Sequence, residues 1–388
     1  MGEDGARDAG ALRESHEMKI ALVHDWLTGM RGGENCLEAF CQMFPGADIY
    51  TLIHIPGSVS QEIEKHKIYT SFIQRMPGAR RRYRWFLPLM PRAIESFELK
   101  GYDLVLSSSH CVAKGVKPQG APHLCYCHTP MRYAWDMYSH YFNRERYSWP
   151  TLLAIEKIMP GLRRWDQLTV ARVDRFVANS HNVAERIKRI YGAESDVVYP
   201  PVDVDFYRQA PVSGKREGYL VVSAFAPYKK IDLAIKVFNE RGERLLIVGA
   251  GEDRARLKAM AGPTIQFEKP VSRERLRELY SKATALIYPG EEDFGIIPVE
   301  AMACGTPVIA YGRGGALETV IPLRDSFTEN PTGVYFDNQA PDSLNSAINK
   351  FESDADKFKE EALRGHAEKF SAKLFEEKME KVINDFLS

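Results

Sequence analysis

Residues 288–315 read YPGEEDFGIIPVEAMACGTPVIAYGRGG, and the order of residue types in that stretch decides the fold class. The apolar run over residues 283–288 predicts a buried strand, and residues 290–295, glycine-bounded and acidic, predict a loop. Pro298 suits the first turn of the helix that follows, where its missing N–H is not needed. Gly305 and Pro307 end that helix, and residues 308–310 begin the next strand. Glu292 and Glu300 bracket a seven-residue spacer. Glu292 is therefore expected in the loop at a strand's carboxyl end, and Glu300 in the first turn of the helix. The N–H groups near Phe294, Gly295 and Ile296 are expected to be unpaired and aimed outward, where an open α/β sheet takes an anionic ligand.

The same alternation runs outward in both directions. Residues 218–223 (GYLVVS) predict a strand, followed by a loop holding Lys229 and Lys230 and a helix opened by Asp232. Two lysines at a strand's carboxyl end suit an anion better than they suit mere solubility. Further strands are expected at 244–248, 265–267 and 333–336, with a helix over 272–282. Upstream, residues 19–24 (KIALVH) are near-continuously apolar, as a parallel sheet covered on both faces requires. A glycine loop with Gly32 and Gly33 then leads into a helix over 35–44. It is not G-x-G-x-x-G, so it is either a diphosphate cradle or a tight turn. Strands are also expected at 102–107, 124–127, 175–178 and 197–199, with Asn179-Ser180 capping a helix over 183–191.

His128 follows the strand at 124–127, placed either to face a substrate or to serve as a satisfied structural residue. Cys125, Cys127 and His128 lack the fourth ligand a metal site needs. Asp203-Val204-Asp205 has a metal-type spacing, but after Pro200-Pro201 turn and cap chemistry is the better reading. The prolines mark the domain boundary. Two Rossmann-like, doubly wound α/β domains are expected, over 18–200 and 201–370. An amphipathic helix over 371–388 (Phe375, Met379, Val382, Ile383) is expected to pack back toward the first domain.

Composition narrows the function. Lysine plus arginine matches aspartate plus glutamate, 52 against 52, so no global field favours nucleic acid. No run approaches the roughly 20 apolar residues that span a bilayer. Residues 1–17 are polar, without the apolar core of a signal peptide, and read as a disordered extension. Six cysteines without framework spacing fit free thiols in a reducing cytosol. One local patch stands out: Arg75, Arg80, Arg81, Arg82 and Arg84 precede Trp85-Phe86-Leu87-Pro88-Leu89. It is either a solvated basic face beside the core or a peripheral membrane contact. In the second case each arginine meets anionic headgroups at about 1 kcal/mol while Trp85, Phe86 and Leu89 enter the interface. Nucleic acid is a poorer third reading, because the aromatics are clustered rather than interleaved.

Taken together, these residues resemble the retaining glycosyltransferases of the GT4 class, which have the GT-B architecture of two Rossmann-like domains facing a central cleft. Among them, bacterial mannosyltransferase-like members that build O-antigen and exopolysaccharide chains are most alike. The resemblance runs from about residue 19 onward. It is carried by EEDFGIIPVEAMACGTPVIAYGRGG with its E-x7-E motif, CYCHTPMRYAWD (125–136), FVANS (176–180) and VVYPPVDVD (197–205).

The resemblance implies a nucleotide-sugar donor, GDP- or UDP-hexose, in the C-terminal domain and a lipid-linked oligosaccharide acceptor mainly on the N-terminal one. Mannose from GDP-mannose is the favoured pair. Glu292 would hold hydroxyls of the transferred sugar and Glu300 those of the ribose. Backbone N–H groups around Phe294, Gly295 and Ile296, with Gly32 and Gly33, would cradle the diphosphate. Lys229 matches the class's phosphate-binding lysine, and His128 its histidine near the donor sugar. No metal or cofactor is implied, and the location implied is cytoplasmic, on the inner face of the cell membrane. The chain departs from the class at Ala224, where an arginine usually precedes the phosphate lysine; Lys230 or Arg31 are the candidate replacements. It departs again at Lys269-Pro270, where the class has a glycine near the base. A nucleotide-sugar 2-epimerase of the same architecture and a non-catalytic glycan-binding protein are the alternatives.

Overall fold

The computed structural model describes residues 18–144, 147–210, 216–324 and 328–388, so the extension expected over 1–17 lies outside the described residues. The first sheet holds β1 (Ile20–His24), β2 (Asp48–Thr51), β3 (Ile68–Thr70), β4 (Leu104–Ser109), β5 (His123–Cys127), β6 (Arg175–Ala178) and β7 (Ser195–Val197). Their order is β3-β2-β1-β4-β5-β6-β7. The second sheet holds β8 (Tyr219–Val222), β9 (Leu245–Val248), β10 (Ile265–Glu268), β11 (Ala285–Tyr288), β12 (Val308–Tyr311) and β13 (Gly333–Phe336), in the order β10-β9-β8-β11-β12-β13. Every described pairing between these strands is parallel. The fold is GT-B, as the sequence predicts.

Burial explains why the strands are so uniformly apolar. In β1, Ile20 and Leu22 join one hydrophobic cluster, whereas Ala21 and Val23 join another on the opposite face. In β8 and β11 the split repeats: Leu220 and Leu286 face one side, Val221 and Ile287 the other. A sheet covered on both faces leaves no polar side to alternate with.

Each sheet reverses direction at one place, β1 beside β4 in the first and β8 beside β11 in the second. Loops leaving neighbouring strands there diverge and leave a crevice at the strands' carboxyl ends, which is where such sheets bind ligands. The chain passes between the domains twice, and the passages are hydrogen-bonded to each other. Val202 N–H donates to Phe370 O (3.0 Å) and Ala372 N–H to Val202 O (3.2 Å). The helix Ala372–Leu387 then lies on the first domain, with Phe375 against Phe40 (5.4 Å between centroids) and Tyr126 (5.7 Å).

Three expectations need correction. β2 and β3 were not foreseen; both are short and neither is a clean apolar run, DIYT and IYT. The strand expected at 197–199 pairs two residues earlier, at β7, because Val198 N–H already bonds Ala178 O at the strand's end. The helix after β11 begins at Ile296, which puts Glu300 in its second turn rather than its first. Gly295, at φ +98°, sets that start, and its N-terminal position leaves Pro298 in the first turn.

Candidate functional site

In the second sheet, Lys229 leaves β8 and Glu292 leaves β11, so the crevice between those strands brings the two loops together. The Lys229 ammonium forms an ion pair with Glu292 Oε1. Burial draws Lys229 down to about 7, the nearby Arg132 guanidinium adds to this, and Asp293 opposes it. Lys230 takes a left-handed conformation (φ 53°) at the start of the helix Ile231–Arg241, one residue past the contact.

Glycines let the loops close up. A Cβ on Gly290 would sit 3.1 Å from the Lys229 Cα, and one on Gly314 would sit 2.4 Å from Glu292 O. Gly315 N–H donates to Glu292 O at 2.8 Å, so the GRGG turn after β12 supports the Glu292 loop from behind. The helix Ile296–Ala303 starts at Gly295 with no side-chain cap, which leaves the amides of Phe294, Gly295 and Ile296 at the crevice end of the helix dipole. Glu300 accepts from Tyr280 Oη at 2.9 Å. Burial pushes its carboxyl up to about 7, against hydrogen bonds from Tyr280 and Tyr207 and the charge of Arg273.

The facing edge belongs to the first sheet. His24 ends β1, Ser108 lies in β4 and His128 follows β5. Ser108 Oγ joins the other two, at 3.2 Å from His24 Nδ1 and 2.8 Å from His128 Nε2. Burial and the neighbouring His110 drop His128 to about 3, so it is neutral at physiological pH. Gly33 packs on both histidines; its Cβ would lie 3.4 Å from His24 Cε1 and 3.7 Å from His128 Nε2. Gly32 and Gly33 open the helix Gly32–Met43 rather than lying in a loop before it. A Cβ on Gly32 would lie 3.0 Å from Ile296 Cδ1, so the N-termini of the two domains' helices abut. Asp25 accepts four amides, from His110, Cys111, Val112 and Ala113 (2.6–2.9 Å), which ties the β1 and β4 loops into one frame.

The expected site residues therefore fall into two groups, Lys229 with Glu292 on one wall and His128 with Gly33 on the other, bridged by Gly32 and Ile296. Glu300 lies farther along the helix beside Tyr280 and Tyr207.

Sequence reasoning missed the ionic layer between the walls. Arg132 and Arg186, both from the first domain, each bond one oxygen of Asp293. Arg132 also lies 3.8 Å from Glu292 Oε2. Ser180 Oγ donates to Asp293 O at 2.7 Å, and the amides of His181 and Asn182 donate to Glu318 at 2.8 and 2.9 Å. In the sequence Arg132 stands four residues after His128, inside the stretch 125–136 that carries the resemblance. Arg132 has no basic neighbour in sequence, and Arg186 shares its helix with Lys188 and Arg189.

The remaining motifs resolve more simply. Asp203 caps the helix Val204–Arg208 through Phe206 N–H (3.1 Å), and Cys125 and Cys127 pack with Phe176 and Val183. Arg80, Arg81, Arg82 and Arg84 are exposed, as is Trp85 at 76%, whereas Phe86 is half-buried against the first-domain core. No helix among the described residues is long and apolar enough to cross a membrane.

Comparison with known proteins accords with this arrangement. Residues 203–370 match the family described as Glycosyl transferases group 1, and residues 30–206 match Glycosyltransferase Family 4. A D-inositol 3-phosphate glycosyltransferase of Mycobacteroides abscessus is 30% identical over 190 residues, 42% of this chain and 43% of that protein. One from Gordonia bronchialis is 30% identical over 240 residues, 53% of this chain and 51% of its own. The chain thus spans about half the length of these relatives. Anabaena HepE, solved with UDP-glucose, superposes with a TM-score of 0.68 at 17% identity, covering 95% of this chain and 100% of its own. Sucrose-phosphate synthase from Thermosynechococcus elongatus gives 0.69 at 19%, covering 95% and 98%. Both share the fold.

Proposed function

Because the chain belongs to the family 4, group 1 glycosyltransferases, a retaining family, we propose that it transfers a hexose from a nucleoside diphosphate sugar to a lipid-linked glycan. The donor we favour is GDP-mannose, on the sequence resemblance to O-antigen and exopolysaccharide mannosyltransferases. The observation that carries the reading is the Lys229–Glu292 contact in the crevice between β8 and β11. A cation and a carboxylate held together there suit the two ends of one donor, phosphate and sugar hydroxyls.

Transfer breaks the bond between the anomeric carbon and the β-phosphate oxygen and forms one to an acceptor oxygen on the same face. The acceptor's proton passes to the departing phosphate oxygen. Negative charge gathers on the diphosphate as the sugar becomes oxocarbenium-like. Lys229 and the amides at the start of the helix Ile296–Ala303 meet that charge in a partly dry cleft, where such a group is worth about 3–4 kcal/mol. Glycosyltransferases of this family are typically metal-independent, which fits a cleft that supplies its own cations. Glu292 receives sugar hydroxyls, Glu300 the ribose, and neutral His128 lines the sugar side. No carboxylate need act as a nucleophile, unlike in retaining glycosidases.

The acceptor's lipid would be met at a membrane surface through Arg80, Arg81, Arg82, Arg84 and Trp85, on the inner face of the cell membrane. The helix Trp149–Leu168 packs on the same first-domain cluster as Phe86 and exposes Trp149 (72%) and Leu153.

Thermal shift with GDP, UDP and their mannose and glucose conjugates tests the donor. A raised melting midpoint with one base, and sugar release from its conjugate, is expected. No shift with any nucleoside diphosphate would sink the reading.

A further inference from the structure

We infer that Arg132, from the N-terminal domain, is a diphosphate-binding cation that reaches across the cleft and stands in for the arginine absent at Ala224. The inference rests on the donor-site reading above and names a residue which that reading did not include.

Four observations lead to it. Ala224 is exposed on the loop after β8 and offers no charge, so Lys229 is the cation that this loop directs into the crevice. The guanidinium of Arg132 lies in that crevice, bonded to Asp293 and 3.8 Å from Glu292 Oε2, with its side chain only 13% exposed. Its Nε is buried without a hydrogen-bond partner, so one planar edge of the group still has a donor to give. A guanidinium with an unpaired donor, once its Asp293 contact is exchanged, suits capture of a phosphate.

The carboxylates show how Arg132 can be released. Asp293 is bonded by Arg186 as well as by Arg132, and its backbone carbonyl is held by Ser180. If Arg132 turns toward a phosphate, Asp293 keeps Arg186, and no carboxylate is left unpaired. Arg186 also lies 3.3 Å from Asp136 and 3.6 Å from Glu291, so it stays anchored to acidic partners when Arg132 turns away.

The earlier candidates fit less well. Arg31 is exposed at the start of the helix Gly32–Met43, and Lys230 sits in the left-handed cap past Lys229. Tyr141 stacks on Tyr228 at 5.9 Å, so the loop carrying Arg132 is already seated on the loop carrying Lys229.

Titration calorimetry of GDP, UDP, GMP and UMP against wild type, Arg132→Lys, Arg132→Gln and Arg132→Gln/Ala224→Arg tests this, with circular dichroism to confirm folding. Arg132→Gln is expected to weaken the diphosphate by tenfold or more and the monophosphate by less than threefold. Arg132→Lys should fall between, and Ala224→Arg should recover most of the loss. Wild-type diphosphate affinity in Arg132→Gln would overturn the inference. So would an equal loss of mono- and diphosphate with a lowered melting midpoint, which would assign Arg132 to holding the domains together. Failure of wild type to bind either diphosphate would instead sink the donor-site reading itself.

Discussion

Lys229 and Glu292 are ion-paired although they lie 63 residues apart on separate loops, because β8 and β11 are neighbours where the second sheet reverses direction. The pair holds each partner in place. The lysine is drawn to about 7 by burial and Arg132, and neither group is free to turn until a donor arrives. Replacing either side should therefore act on transfer far more than on folding. Lys229→Met is expected to lower kcat by about 100- to 1000-fold, the usual loss for one group aimed at developing charge. Glu292→Gln should keep nucleoside diphosphate affinity within a few-fold while abolishing sugar transfer. Kinetics with the cognate donor check both, and an active Lys229→Met protein would remove this residue from the mechanism.

Nucleoside diphosphate binding should depend on pH through the same lysine. In the free protein the ammonium is lost near pH 7, whereas a bound diphosphate favours the charged form and raises that value. Below about pH 6 the lysine is charged with or without ligand, and affinity is flat on its account. Above 7 binding must take up a proton, so affinity should fall by up to about tenfold per pH unit. Calorimetry in buffers of different ionisation enthalpy reads the proton directly. Lys229→Met should show no such uptake between pH 7.5 and 9.

Glu300 carries a cost that should be measurable as stability. Its folded value of about 7 lies above the ordinary 4.5, so keeping it charged in the folded protein is unfavourable. The penalty is absent below about pH 4.5, grows between 4.5 and 7, and is full above 7. It is at most about 3 kcal/mol from the size of the shift. Glu300→Gln is expected to unfold at a higher temperature than wild type at pH 8 and at a similar one near pH 4.5. Its nucleotide affinity should fall, because an amide is a poorer acceptor for two ribose hydroxyls. Equal melting midpoints at pH 8 would show that Glu300 is paid no such penalty.

How much of this was legible in the sequence follows physical lines. The strands covered on both faces, β1, β4, β5, β8, β9, β11, β12 and β13, announce themselves as apolar runs, and the glycines at 290, 295, 314 and 315 mark where loops must touch. The second wall of the site did not. Ser108 and His24 are ordinary strand-end residues until the order β1-β4-β5 sets them beside His128. Arg132 and Arg186 gain their meaning only from Asp293, more than 100 residues away from each. β2 and β3 escaped because DIYT and IYT mix polar and apolar residues, so neither stands out as an apolar run. Glu300 was placed one turn too early because φ at Gly295, which sets the start of the helix, leaves no trace in residue type alone.

The basic face on the first domain supports the last prediction. Arg82 lies over the Trp85 ring at 5.2 Å, and Arg84 over Tyr83 at 5.6 Å, so the arginines are splayed around an indole that is itself unburied. Tyr83 is anchored in the core against Trp26 (5.0 Å), which fixes Trp85 outward and gives it no intramolecular site to fill. Losing it should therefore leave the unfolding midpoint within about 1 °C, as expected for an exposed side chain. Partition onto vesicles should respond strongly. With anionic lipid present, Trp85→Ala is expected to reduce binding several-fold, and Arg81→Glu/Arg82→Glu to abolish it at low salt, since each arginine near a headgroup contributes about 1 kcal/mol. Neutral phosphatidylcholine vesicles should bind weakly in every case. Co-sedimentation that is indifferent to anionic lipid would leave this face as a solvated surface, with Trp85 merely tolerated there.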